Sequence, residues 1–292
     1  MRIMILGNFG TGWDGSICDE EHIASALEVL GHKVTRIQRG EKPEFGAYDF
    51  ILVAQWDGYP PEIMKTMKHL GKKIYWAFDY QAEGQEWHER LIEGADVYLS
   101  KRIADSKYPN WQWFSQDFSP DFLDRWDVGQ PKEIDVLFTG SYLPWATERN
   151  EMIKAIDNNF NLQINSVNSW DGYSNVQAPV MDDELPRLLA RAKINISIDH
   201  THEAGYWSDR NAQIMACGGF VLFRHVPLSE SVFHDKIEYF NNTEQMLEKI
   251  EYFLTHDYER EIIAEEGFTY AQDCLKIDTK IKDLLTIVGS HV

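Results

Sequence analysis

One stretch of the chain combines residue types suited to holding phosphate. Residues 206–223 predict a loop, a short helix and a fully apolar strand in quick succession. Ser208 or Asp209 is suited to cap the helix, and Arg210 follows directly. A helix start beside an arginine, facing the ends of parallel strands, is a place to hold phosphate. The alternative is an ordinary helix–strand unit in which the glycines at 218–219 only form the turn.

A second candidate is the glycine-rich loop 7–15, which follows a short apolar strand. Gly7, Gly10 and Gly12 give the pattern G-x-x-G-x-G, a poor fit to the dinucleotide-binding fingerprint, and the next helix begins late with an acidic first turn. The loop is therefore predicted to bring backbone close to a neutral ligand rather than to phosphate. Asp14 stands in the mouth of this loop, and a solvated turn residue is the alternative interpretation of it.

Polar and aromatic side chains also follow two further predicted strands. Because the carboxyl ends of parallel strands meet at one edge of a sheet, we expect these side chains to share a rim with Asp14. They are Trp56, Asp57, Asp79 and Tyr80.

Charge and composition exclude several classes of protein. The 292 residues carry 47 acidic and 28 basic side chains, for a net charge of −19, which argues against gripping long stretches of duplex by the phosphates. A brief encounter with nucleic acid at one local patch stays open. The three cysteines are far apart and match no zinc spacing. No apolar run reaches about 18 residues, so no membrane span is expected, and we expect a soluble, cytoplasmic protein.

Hydrophobic periodicity divides the chain into two βα-repeat halves. We expect domains at residues 1–126 and 127–292, joined by a polar linker over 124–132. At the end of the second half, the sequence predicts one helix over 258–267 and a last, long amphipathic helix from 269 to about 288. Each half predicts a Rossmann-like α/β domain with a parallel sheet, and the two are expected to face each other across a cleft where ligand binds.

Four segments of the second half carry a family resemblance. They are D-V-L-F-T-G-S at 135–141, L-L-A-R-A-K-I-N-I at 188–196, R-N-A-Q-I-M-A-C-G-G at 210–219, and a tail from 238 to 267. In order and spacing, residues from about 134 to 285 resemble the donor-binding half of GT-B glycosyltransferases, most closely the group-1-like branch that includes CgeB-type proteins. The resemblance implies a GT-B fold, with the last helix packing back toward the N-terminal domain.

The resemblance also assigns roles to residues of the second half. Arg210 would hold the donor diphosphate, and Gln213 falls where the family has an acidic residue that often binds the ribose, so this position departs from the pattern. The other donor-binding positions are Gly140, Ser141, His200, Gly218 and Gly219.

The implied reaction moves a sugar from a nucleotide sugar, with UDP as the expected nucleotide, to an acceptor hydroxyl. The fold usually works without a bound metal or further cofactor, and the sequence has no clear Asp-x-Asp metal motif. Asp14 is the candidate base, with His22 and Asp79 behind it. The expected acceptor-binding residues are Gly12, Trp13, Trp56, Asp57 and Tyr80.

Three alternatives remain open at this point. A phage-type enzyme could glycosylate a hydroxylated base in DNA, using a basic patch at Lys101, Arg102 and Lys107. A non-catalytic GT-B-like protein could bind sugar or serve a structural role, since Gln213 replaces the expected acid. A GT-B-fold sugar epimerase needs more acid and base groups than the sequence offers. The acceptor could accordingly be a small molecule, a glycan or a modified DNA base.

Overall fold

The chain forms two compact units. The computed structural model describes residues 1–10, 12, 17–43, 46–54, 63–67, 70–78, 85–117, 131–181 and 184–290. Unit 1 is Met1–Gln116 together with Ile277–Val292, and unit 2 is Asp117–Lys276. The division therefore falls between Gln116 and Asp117, ten residues before the expected one at 126/127, and the final helix belongs to unit 1. Most of the expected linker lies outside the described residues.

Unit 1 is built on a parallel sheet of six strands in the order β2-β1-β3-β4-β5-β6. Its elements are β1 (Arg2–Gly7), α1 (Asp19–Val29), β2 (Lys33–Gln38), β3 (Phe50–Ala54), α2 (Ile63–Thr66), β4 (Lys72–Trp76), α3 (Glu86–Gly94), β5 (Val97–Ser100), a 3-10 turn (Ile103–Lys107), β6 (Trp111–Trp113) and α10 (Ile277–Ser290). The central strand β3 is buried along its whole length, as a continuous apolar run in a parallel sheet should be. Helix α10 packs against α1 and buries Ile281 and Leu284, which lie on one face of the helix.

Unit 2 repeats this architecture with the strand order β12-β11-β10-β7-β8-β9, all parallel. Its elements are β7 (Ile134–Thr139), α4 (Thr147–Asn159), β8 (Leu162–Asn165), β9 (Val176–Gln177), α5 (Leu185–Ala190), β10 (Ala192–Ser197), α6 (Arg210–Ala216), β11 (Val221–Arg224), α7 (Glu230–Phe233), β12 (Glu238–Phe240), α8 (Thr243–Thr255) and α9 (Asp257–Cys274). Counted from β7, this is the Rossmann strand order, which reverses direction between β7 and β10. The expected α/β class with two Rossmann-like units is confirmed.

The last helices differ from the expected boundaries. A helix end near Gly267 and a new helix from Thr269 were expected, but α9 runs through to Cys274 and the break falls at 275–276. Gly267 serves packing instead, because a Cβ there would lie 2.8 Å from the carbonyl oxygen of Lys236. Among the described residues, no helix is both long and apolar enough to cross a bilayer.

A buried hydrogen-bond network joins the middle of the unit 1 sheet to α3. The hydroxyl of Tyr75 lies 2.8 Å from His88 Nδ1, and the hydroxyl of Tyr98 lies 3.3 Å from His88 Nε2. Tyr98 also donates to Asp105 Oδ2 at 2.7 Å, and Ser100 donates to the same oxygen at 2.6 Å. His88 is 4% exposed, so burial lowers its pKa to about 4 against an ordinary value near 6.5. The network is therefore built around a neutral imidazole.

The lowered pKa of His88 should make the folded protein less stable as the pH falls. Above about pH 6.5 His88 is neutral in both the folded and the unfolded chain, so it does not change the free energy of unfolding. Between pH 6.5 and 4 only the unfolded chain takes up a proton at this residue. We expect this residue to remove about 2 kcal/mol from the free energy of unfolding between pH 7.5 and pH 5. Urea unfolding of wild type and of His88→Gln at pH 7.5 and at pH 5 measures this change in the free energy of unfolding. The variant starts less stable but should lose about 2 kcal/mol less on acidification, and an equal loss in both proteins would contradict the assignment.

Candidate functional site

The reversal of strand order in unit 2 places two loops beside each other at the carboxyl ends of the strands. Loop 140–146 follows β7 and leads into α4, and loop 198–209 follows β10 and leads into α6. Because β7 and β10 are hydrogen-bonded neighbours whose following strands lie on opposite sides, a crevice opens between the two loops. Binding sites of open parallel sheets form at this position.

Arg210, the first residue of α6, reaches back across this crevice to the end of β7. Its Nε donates to the carbonyl oxygen of Thr139 at 3.0 Å, and its guanidinium lies over the ring of Phe138, 5.5 Å from the centroid. Its Nη1 lies 3.7 Å from Asp199 Oδ1, and Asp199 in turn accepts a hydrogen bond from the backbone of Ser208 at 3.1 Å. The side chain is held on three sides, with 18% of its surface exposed.

Arg149, in the first turn of α4, brings a second guanidinium to the same place. It donates from Nη2 to the carbonyl oxygen of Ser141 at 2.7 Å, and its guanidinium lies over Phe138 and Trp170, at 5.9 and 5.8 Å. The residue is 4% exposed. Burial, and after it the positive charge of Arg210, lowers the pKa of Arg149 to about 10, while Asp199 opposes the shift. Two guanidinium groups thus share one phenyl ring, with Asp199 beside them. We call Arg149, Arg210 and Asp199 the guanidinium cluster.

Several polar atoms of this cluster are buried without a hydrogen-bond partner among the described residues. They are Arg149 Nε, Arg210 Nη1, Asp199 Oδ2 and, next to them, Ser208 Oγ. Buried polar groups are nearly always paired, so a group of such atoms at a strand-end crevice indicates a site for a polar ligand or ordered water. The two unpaired N–H groups point to a ligand that accepts hydrogen bonds and carries negative charge.

The loop after β7 is shaped to fit around the two guanidinium groups. A Cβ on Gly140 would lie 3.1 Å from the ring of Phe138 and 3.3 Å from Arg210 Nη2, so a larger residue would crowd both. The carbonyl oxygen of Gly140 accepts from Trp170 Nε1 at 3.1 Å, and that of Ser141 is the acceptor for Arg149. Gly140 and Ser141 therefore lie at the crevice beside Arg210, and their role in donor binding stays a prediction.

His200 and Gln213 also lie near these loops, with contacts of their own. The His200 imidazole meets the rings of Trp145 and Tyr206 edge-on, with centroids 5.1 and 5.6 Å apart. Gln213 Nε2 donates to Asp209 Oδ2 at 2.5 Å, so its amide bridges back to the start of α6. Asp209 is consequently engaged by this amide and makes no capping hydrogen bond to the helix backbone.

Gly218 and Gly219 are not part of this crevice, which corrects the role inferred for them. They follow the carboxyl end of α6, which runs about 10 Å back from Arg210 toward the opposite edge of the sheet. Gly218 has φ +74°, and a Cβ on Gly219 would lie 2.7 Å from Ile214 and 2.9 Å from Asn195. These glycines make the tight turn into β11 possible and leave the binding edge to Gly140.

The residues expected on the acceptor side are only partly described. Gly12 and His22 are half-buried, His22 within α1. Asp14, Trp13, Trp56, Asp57, Asp79 and Tyr80 lie outside the described residues. The start of the glycine-rich loop is fixed: the backbone N–H of Asn8 donates to Glu20 Oε1 at 3.0 Å and that of Phe9 to Gln38 Oε1 at 2.9 Å.

The structure removes the basic patch proposed for contact with DNA. Lys101 and Arg102 are 2% and 5% exposed, and Arg102 Nη1 lies 3.5 Å from Asp105 Oδ1. Lys107 is exposed. Burial withdraws two of the three charges from solvent, so the expectation of a surface patch was wrong.

Among the described residues, no group of three His, Cys, Asp or Glu side chains is arranged to hold a metal ion.

The comparisons with known proteins identify the fold. Residues 147–285 match a family model described as glycosyl transferase-like. No curated protein sequence matches the chain significantly. Among solved structures, sucrose-phosphate synthase from Thermosynechococcus elongatus is similar, with a TM-score of 0.71, 10% identity and full coverage of both chains.

Two further structures were solved with a nucleotide. An alpha-glucosyltransferase in complex with UDP and a 13-mer DNA has a TM-score of 0.68 and 12% identity, covering 99% of this chain and 100% of the other. Anabaena HepE in complex with UDP and glucose has a TM-score of 0.67 and 12% identity, with the same coverage. The narrower CgeB-type branch stays a prediction. The chain thus has the GT-B fold of these structures, and its residues 147–285 match the glycosyl transferase-like family.

Proposed function

We propose that this protein is a glycosyltransferase, which moves a sugar from a nucleoside-diphosphate sugar, with UDP as the nucleotide, to an acceptor hydroxyl. The observation that carries the proposal is the guanidinium cluster. It places two positive charges beside one negative charge in a buried crevice, and both arginines keep an N–H group that has no acceptor among the described residues. A bound diphosphate would supply the missing acceptors and offset the repulsion between the two guanidinium groups.

The same arrangement fits the chemistry of the departing group. Negative charge grows on the diphosphate as the bond to the sugar breaks, and donors held rigidly in a water-poor site stabilise that charge without reorganising. Arg149 is fixed by Ser141 and by two aromatic rings, and Arg210 by Thr139 and Asp199. In this proposal the two arginines do the work that a divalent cation does in other transferases, so transfer is metal-independent.

The acceptor side of the proposal rests on the sequence. Asp14 is the base that takes the proton from the acceptor hydroxyl, and His22 and Asp79 are the alternatives. Support comes from the fixed start of the loop that carries Asp14, where Glu20 and Gln38 hold the backbone of residues 8–9. Small molecules, glycans and modified DNA bases remain the candidate acceptors, and the burial of Lys101 and Arg102 weakens the case for DNA.

Replacing Arg149 or Arg210 by an uncharged residue should weaken the binding of UDP. Arg210→Ala and Arg149→Met should each weaken UDP binding at least tenfold in calorimetric titration, since a hydrogen bond between charged groups contributes about 1.5–3 kcal/mol. Arg149→Met should also unfold at the same or a higher temperature without ligand, because a buried charge is replaced by an apolar side chain of similar length.

The matched control is Arg187→Ala in α5, whose half-exposed side chain pairs with Glu184 at 3.1 Å on the same unit. This variant should bind UDP as wild type does. If the two cluster variants also bind UDP normally, or if no nucleoside diphosphate binds wild type, the proposed donor site is wrong.

Asp14→Asn should separate catalysis from binding. The variant should keep the UDP affinity of wild type while sugar transfer and donor hydrolysis, measured as UDP release, fall by about 10²- to 10⁴-fold. The variants His22→Gln and Asp79→Asn are measured in the same assays. Loss of rate in one of these and not in Asp14→Asn would reassign the base, whereas binding of UDP by wild type with neither sugar transfer nor donor hydrolysis would favour a non-catalytic protein.

A further inference from the structure

We propose that the indole of Trp145, supported by His200, forms the wall against which the sugar ring of the donor stacks. The inference rests on the proposed function and deepens it, since it assigns a residue that discriminates the sugar from the rest of the nucleotide. No part of the sequence pattern pointed to Trp145.

The first observation is an exposed aromatic side chain that is nonetheless held in place. Trp145 is 62% exposed, whereas Trp76, Trp170 and Trp207 are fully buried. Its ring stands nearly perpendicular to that of His200, with centroids 5.1 Å apart, and His200 stands against Tyr206, which is 3% exposed. The buried tyrosine supports the imidazole and the imidazole supports the indole, so an indole face stays open to solvent.

The second observation is the rigidity of the loop that carries Trp145. The backbone N–H of Tyr142 donates to Asn168 Oδ1 at 2.7 Å, and Asn168 Nδ2 donates back to the carbonyl oxygen of Tyr142 at 3.0 Å. The carbonyl oxygen of Leu143 accepts from Asn150 Nδ2 at 2.9 Å and from the backbone of Ala146 at 3.0 Å. The indole is therefore presented by a loop whose backbone is bonded on both sides of it, which limits the entropy lost on stacking.

The position of the indole next to the guanidinium cluster favours the sugar over the base. His200 follows Asp199, the partner of Arg210, and Trp145 lies four residues before Arg149 on the other loop. The two loops that supply the cluster thus also supply the aromatic pair. In a nucleotide sugar the hexose is bonded directly to the diphosphate, whereas the base is separated from it by the ribose. A ring beside the cluster therefore meets the hexose first.

The chemistry of the surface fits a hexose as well. The open face of an indole is apolar with a negative quadrupole, and it attracts the C–H groups on the apolar side of a pyranose. The imidazole at its edge offers a polar atom to the hydroxyl groups at the rim of the sugar. The combination selects a ring that is apolar on its face and polar at its edge.

The test compares the nucleotide alone with the nucleotide sugar. Calorimetric titration of wild type, Trp145→Ala and Trp145→Phe uses UDP, GDP, UDP-glucose, UDP-N-acetylglucosamine and GDP-mannose as probes. Trp145→Ala should weaken binding of the preferred nucleotide sugar about tenfold and leave the bare nucleotide unchanged, because the lost stacking of about 1.4 kcal/mol corresponds to a tenfold change in affinity. Trp145→Phe keeps a ring and should stay within about threefold of wild type. Tyr258→Ala, which removes a 77% exposed aromatic ring on α9, should change neither.

The outcomes separate this inference from the proposed function. Equal weakening of UDP and of UDP-sugar in Trp145→Ala would place the base on the indole and overturn the inference while leaving the donor site intact. Unchanged affinity for every probe, or no nucleotide sugar binding more tightly than its nucleotide in wild type, would also overturn it. Failure of wild type to bind any nucleoside diphosphate would instead refute the donor site itself.

Discussion

The guanidinium groups of Arg149 and Arg210 both lie over the phenyl ring of Phe138, and the two loops at the carboxyl ends of β7 and β10 are built around this contact. Burying Arg149 and Arg210 together is unfavourable, and the lowered pKa of Arg149 records the cost. The protein tolerates it through Phe138 beneath both groups, Asp199 beside them and backbone carbonyls at the ends of β7. The diphosphate of the proposed donor would add the negative charge that offsets this repulsion.

The sequence could predict one of these arginines and not the other. Arg210 stands in a recognisable segment at the start of a helix, where local pattern is informative. Arg149 shows only as a basic residue in a first helical turn, a position common on protein surfaces. Its burial depends on Phe138 and Trp170, which reach it through the fold and not through neighbouring sequence. Tertiary packing of this kind leaves no local signal.

The sequence analysis placed the glycines at 218 and 219 among the donor-binding residues because they stand close to Arg210 in the sequence. They stand only eight and nine residues after Arg210, yet a short helix carries them to the far edge of the sheet. The order of strands and helices and the α/β class were predicted well, because long apolar strands and amphipathic helices repeat regularly. The helix break near residue 275 was missed, because Gly267 looked like a terminator when it is in fact a packing residue under Lys236.

The return of the last helix makes unit 2 a continuous insertion within unit 1. During synthesis from the N-terminus, every residue of unit 2 is available before α10 exists, whereas unit 1 must wait for residues 277–292 to cover α1. The face of α1 that α10 covers is therefore open until α10 has been made. Unit 2 can therefore fold before unit 1 completes its core.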